Sequence, residues 1–353
     1  MGLPEVVIEF KEKQSNFIYR LGRGIVAIPF IDTSAEKAQW VSVSDSVSVA
    51  AAVSALPSSV QEKAKTELAA AINAGASKAI AVVAANADAL EVALATLRYN
   101  HLALGNLEAA TQTAVNTWAA GKGYKGGRSF LLYGAETALD AVKDKHVVSV
   151  DTTNLTSAKA TISAIAGLLA GVGDESGTYQ VIDKDTDGTG YATREQADTL
   201  VDKGVVTVFY DGEKAKLSRA VTSYYAEDAK SAFAKIRNVD SMNMIVDDIT
   251  DSFENQYVGK VLNSYTNKMA FIGLINQSYL AGLAGTVLDA DGTNKLDIDV
   301  AKHKELAQAA GEDVDSMSEM DLRKYNTGAN VYLTGSLRFL DTMEDLTISF
   351  SIN

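Results

Sequence analysis

The chain of 353 residues contains no cysteine, which removes disulfide frameworks, thiolate metal sites and cysteine nucleophiles together. Prolines number three, Pro4, Pro29 and Pro57, so no stiff proline-rich linker divides the chain and a compact insertion of one domain in another is expected. The three histidines, His101, His146 and His303, share no metal-ligand spacing, and no Gly-x-Ser-x-Gly elbow is present. Long apolar runs are missing too: the nearest, 79–85 and 162–172, fall short of the roughly 18 residues a membrane span needs, so no direct membrane insertion is expected. The N-terminal stretch carries Glu5, Glu9, Lys11 and Glu12 where a secretory signal would be apolar. Release would then be by lysis or as part of a particle. Positive charge is in deficit. Lys plus Arg total 32 against 45 Asp plus Glu, a net charge of −13, which repels phosphate backbones and argues against a nucleic-acid partner.

What is present is ordinary globular material, 47% hydrophobic and 22% charged, long enough for two or three domains. Its most informative feature lies at the two ends. Leu346, Ile348, Phe350 and Ile352 alternate with Thr347, Ser349, Ser351 and Asn353, and Val6, Ile8 and Phe10 alternate with Val7, Glu9 and Lys11. A period of two describes a strand with one buried face. Two readings are open: pairing within the chain's own sheet, or donation to neighbouring subunits, since an unpaired edge recruits another chain.

Between the ends, strand-like runs at 24–31, 78–84, 128–133 and 146–150 alternate with helical patterns at 58–73, 88–99 and 106–120 and a short helix from Ala135. This alternation predicts a mainly parallel α/β sheet for the first half. A small-residue helix at 157–169 follows, then strands at 178–182, 205–210 and 214–217 with Asp211-Gly212 as a hairpin turn. Helices from about 232, over 267–284 and over 302–310, then strands at 330–340 and 345–353, give the last part an α+β character.

Four local motifs invite chemistry. Asp183-Lys-Asp185-Thr-Asp187-Gly188 matches the start of a calcium loop, but position 12 is Arg194 and a strand, not a helix, precedes it. An acidic turn is the expectation. Asp289, Asp291, Gly292, Asn294, Asp297 and Asp299 fit that spacing less well and read as a loop. The glycines at 121, 123, 126 and 127 follow a helix and precede a strand, the reverse of a phosphate loop. Asp247, Asp251 and Glu254 share one helical face, either solvated or a docking surface for a basic partner. Nothing here singles out a catalytic residue, a cofactor site or a metal site.

The segment Phe253-Glu-Asn-Gln-Tyr257-Val-Gly259-Lys260-Val-Leu-Asn263-Ser-Tyr265-Thr-Asn267-Lys268 and the ending Asn326-Thr-Gly328 … Phe339-Leu-Asp341-Thr-Met343-Glu344-Asp345-Leu346 resemble signatures of contractile tail sheath proteins. Ile165-Ala-Gly167-Leu-Leu-Ala-Gly171, Thr178-Tyr and Asp211-Gly-Glu-Lys-Ala-Lys fall in the same order. The family is that of Gram-positive phages, defective prophages and R-type bacteriocins. The resemblance implies six-subunit rings stacked helically on an inner tail tube, with baseplate and tail terminator proteins as further partners. It also implies contraction that drives the tube through an envelope, assembly in a bacterial cytoplasm, and no enzymatic activity or cofactor. It further implies an N-terminal strand arm over 1–22, an outer α/β domain over 23–232, and an inner domain over 233–353 with a C-terminal arm at 345–353, both arms adding strands to neighbours. An α/β enzyme and a surface-layer or pilus subunit are the competing classes. Neither accounts for the ordered C-terminal motifs.

Overall fold

Continuous β-branched runs set the architecture of the computed structural model, which describes residues 18, 22–123, 129–139 and 141–352. Ile25–Ile31 (β1) and Lys78–Ala84 (β3) are apolar at almost every position, the pattern of strands covered on both faces. They pair in parallel from Ile25 against Lys78 to Ile31 against Ala84. Around them lie Gln39–Val43 (β2), His101–Ala103 (β4), Leu131–Ala135 (β5), Val147–Val150 (β6) and Val205–Val206 (β8). The order is β2-β3-β1-β4-β5-β6-β8, parallel except for β2 at one edge. Val181–Asp183 (β7), Val208–Tyr210 (β9) and Ala215–Leu217 (β10) form a small antiparallel sheet. Its hairpin turn is closed by Asp211, whose carboxylate accepts from the amides of Glu213 and Lys214 at 3.0 and 2.9 Å.

Helices cover the large sheet where polar caps start them. Asn86 and Thr161 accept from Ala89 N and Ala164 N, each satisfying an orphan amide of the first turn. Helices Ser58–Ala74 and Ile162–Gly171 touch backbone to backbone. A Cβ on Gly167 would stand 2.3 Å from the Ala71 carbonyl oxygen, and one on Gly171 would stand 2.4 Å from that of Gly75. The small-residue pattern of the second helix is therefore a packing requirement.

The contacts group the described residues into two units. The first takes in 22–247, Gly285–Ala290 and 339–352; the second takes in Asp248–Ala284 and Asp291–Arg338. The second holds helices Tyr265–Leu274, Val300–Ala309 and Glu319–Lys324, with a ribbon of Lys295–Ile298 (β11) and Leu333–Ser336 (β12) paired antiparallel. Here the sequence reading needs correction. Asp297 lies in β11 and is paired with Arg323, and Asp299 caps the following helix through Lys302 N at 2.8 Å, so these two of the six residues of the supposed acidic loop belong to a strand and a helix cap. The strand expected over 330–340 shrinks to β12.

Candidate assembly surface

The C-terminal segment leaves the first unit from a firm root. Phe339 bridges Leu288, Leu340 N donates to Val287 O at 3.0 Å, and the Arg237 guanidinium donates to the carbonyls of Leu340, Thr286 and Asp174. After that the chain runs on without a strand partner: residues 341–352 form no ladder. Of the two readings of this ending, pairing within a sheet of its own chain is not formed over the described residues 345–352. Leu346, Ile348, Phe350 and Ile352 are consequently 83%, 60%, 86% and 97% exposed. Burying such side chains is worth about 1.5–3 kcal/mol each, so the segment is an apolar edge held in water. Val6, Ile8 and Phe10 lie outside the described residues.

The β11–β12 ribbon has two edges of different character. On β11, Asn276 donates to Leu296 O and accepts from Leu296 N, both at 2.8 Å, mimicking a strand. Among the described residues no strand pairs with the outer edge of β12, whose residues Thr334 to Ser336 are exposed.

The acidic trio of helix Ile236–Gln256 does not behave as one face. Asp247 lies 3.3 Å from Arg23 and accepts from Ser129 N at 3.4 Å; burial pushes its carboxyl up, with Arg23 opposing. It is an internal partner in its own unit. Asp251 accepts from Asn255 at 3.1 Å, and Glu254 is exposed, so any docking role falls to these two. The periodicity put all three on one helical face but carried no sign of Arg23, close in space and distant in sequence.

The remaining motifs are occupied by structural duties. Asp183 takes a 2.7 Å ion pair from Lys159 and a 3.0 Å hydrogen bond from the Tyr191 hydroxyl; the Lys159 contact, ahead of the others, holds its carboxyl below the usual range. Gly121 and Gly123 end a π-turn that follows helix Ala109–Trp118; Gly126 and Gly127 lie outside the described residues. His101 Nδ1 meets the Tyr133 hydroxyl at 2.9 Å, His146 stands by Asp144, and His303 Nδ1 meets Leu322 O at 2.8 Å. Each has its own structural partner. Among the described residues no helix is long and apolar enough to cross a membrane.

No family model matches the chain. A tail sheath protein of Clostridium phage phiCD119 is 28% identical to it over 98% of both chains. The chain is a homologue of tail sheath proteins. Solved structures agree at the level of fold. The helical sheath of the anti-feeding prophage in its contracted state aligns over 99% of each chain with a TM-score of 0.67 at 13% identity. The sheath complex of an extracellular contractile injection system, also contracted, covers 99% of this chain and 98% of its own with a TM-score of 0.65 at 13% identity. A sheath tail protein from Desulfitobacterium hafniense covers 84% of this chain and 94% of its own with a TM-score of 0.60 at 14% identity. In this sheath homologue the mixed α/β architecture is therefore the sheath fold.

Proposed function

We propose that this chain is the structural subunit of a contractile tail sheath, a helical homopolymer of six-subunit rings around an inner tail tube. The observation that carries the reading is the uncovered alternating segment Leu346 to Ile352 on a full-length homologue of a tail sheath protein. An extended segment with one apolar face completes itself by adding to the sheet edge of another copy, and the outer edge of β12 is one open edge for it among the described residues. Such a contact is heterologous and does not close on itself, so it propagates as an open helix. Main-chain ladders of this kind keep subunits linked while their bodies rotate, and extra burial between bodies supplies the free energy of shortening.

In this reading the N-terminal arm (1–22) and C-terminal arm (345–353) connect neighbours, residues 233–353 form the inner domain and 23–232 the outer one. The inner domain faces the tube, and baseplate and terminator proteins hold the polymer's ends. The subunit works without catalysis, and assembles in the host cytoplasm before lysis releases the particle. Negative-stain microscopy of the protein expressed with its tube tests this: sheathed tubes or stacked rings are expected, and a strictly monomeric species at high concentration would refute the reading.

A further inference from the structure

We propose that Arg219 and Lys235 are positioning residues that clasp the base of the C-terminal segment and fix the direction in which it leaves the subunit. Three carboxylates of the segment meet these two cations. Arg219 lies 3.3 Å from Glu344 and 2.7 Å from Asp345; Lys235 lies 3.1 Å from Asp341 and 3.5 Å from Glu344. Two neutral donors complete the set: Thr178 Oγ1 donates to Glu344 at 3.0 Å, and Asn238 Nδ2 to Asp341 at 3.2 Å. Glu344 is the keystone. Its side chain is 7% exposed, whereas that of Asp345 is 77% exposed and Leu346 beyond it is free of the body.

The cradle is built for this contact. Thr178 is oriented by Ala220 N, which donates to its hydroxyl at 3.2 Å. Tyr179 next to it holds a left-handed φ of 60°, a conformation that bulky side chains rarely adopt and that is kept where surrounding structure demands it. Its amide bonds Leu217 O at 3.1 Å and its ring leans on Phe209 at 5.4 Å. Asp345 in turn holds the Arg219 guanidinium charged, and Arg219 lowers the Asp345 carboxyl. Two segments that carry the sheath resemblance, Thr178-Tyr179 and Asp341 to Asp345, thus meet at one point, with a cavity of about 230 Å³ beside them.

The physical consequence is a sharp boundary between a tethered and a free stretch. Ordering the last five tethered residues in the monomer removes conformational entropy that a loose arm would lose on binding. It also restricts which neighbouring edge the free residues can reach. The inference rests on the strand-donation reading above, and its test separates the two.

The full-length Arg219→Ala/Lys235→Ala variant, with all terminal residues intact, is followed by hydrogen–deuterium exchange before assembly and by sheath yield on the tube. Among the amides of 340–345, that of Leu340, which donates to Val287 O at 3.0 Å at the foot of the clasp, is expected to exchange about tenfold faster, because local opening now costs less, and sheath yield is expected to fall. Thr178→Val, which removes a single donor, should show a smaller change in the same amide and covers the case where the double variant does not fold. Pairing Arg219→Glu with Asp345→Arg should restore both readouts relative to Arg219→Glu alone. Unchanged exchange of the Leu340 amide, or faster exchange with unchanged yield, overturns the clasp. Failure of the donation reading looks different: subunits lacking Leu346–Asn353 would assemble normally while the exchange effect of the clasp variants persisted.

Discussion

His101 Nε2 stands 3.8 Å from an Asp240 carboxylate oxygen at the start of β4, inside a chain of contacts in which Arg23 bonds Asp240 at 2.5 Å and Tyr133 bonds the other ring nitrogen. Burial wins over the nearby carboxylate: it brings the His101 pKa down to about 4, with Asp240 opposing and Arg23 adding to the shift. The native state therefore holds a neutral imidazole.

That fixes a sign for pH dependence. In the unfolded chain a histidine titrates near 6.5, so between pH 6.5 and 4 the unfolded state binds more protons and stability falls as pH falls. The full loss by pH 4 is about 3 kcal/mol, an order-of-magnitude value for a fully buried group. Thermal melts from pH 7 to pH 5, where carboxylates stay ionised, should show a falling Tm, and His101→Gln should flatten the slope. An equal slope in the variant would place the pH sensitivity elsewhere.

Gly167→Ala should be among the most damaging single-methyl changes in the chain. The added Cβ meets the Ala71 carbonyl oxygen at 2.3 Å, backbone that has no rotamer to relax into. Overpacking of this kind costs about 1–3 kcal/mol, so a clear drop in Tm is expected despite alanine's better helix propensity. A neutral or raised Tm would mean that the two helices slide apart freely.

Removing Leu346–Asn353 should leave the subunit folded and stop sheath formation. The segment makes no ladder with its own chain, whereas a donated strand supplies ladder bonds of about 0.5–1.5 kcal/mol each together with side-chain burial. Phe350→Asp is the milder form, keeping the backbone and charging the apolar face. Calorimetry of the monomer should be nearly unchanged in both, while sedimentation shows the polymer lost. Unfolding of the truncated monomer would assign the segment to its own core instead.

The acidic helix separates by the same logic. Asp247→Lys places a cation against Arg23 in a half-buried pocket and should lower Tm; Glu254→Lys on the exposed side should not. If Asp251 and Glu254 dock on the tube or an adjacent subunit, reversing both weakens attachment and changes its salt dependence with the monomer's Tm intact. Unaltered attachment would make them solvated residues.

Much of the large sheet could be read in advance because its strands are buried on both faces: the runs at β1 and β3 have few other uses for so many β-branched side chains. The edge strand β2, Gln39–Val43, has partly exposed Gln39, Trp40 and Ser42 and left no comparable pattern. β11 was hidden because its Lys295 and Asp297 sit in an acidic stretch, and only Arg323, distant in sequence, gives Asp297 its partner. The alternation at 346–352 was plain, yet alternation specifies a face and not a partner. The ion pairs of Arg219 with Glu344 and Asp345 join sites that no local window spans.

Asn276 sets the valence of the β11–β12 ribbon. Because its side chain occupies both outward main-chain groups of Leu296, a visiting strand has one side of the ribbon to add to, not two. If a neighbour's strand adds to this ribbon, as we propose, one open edge lets the unit be extended but not branched, and works against edge-on-edge stacking into the unlimited sheets of cross-β aggregates. A side-chain amide in one helix thereby favours a countable polymer over an amorphous one.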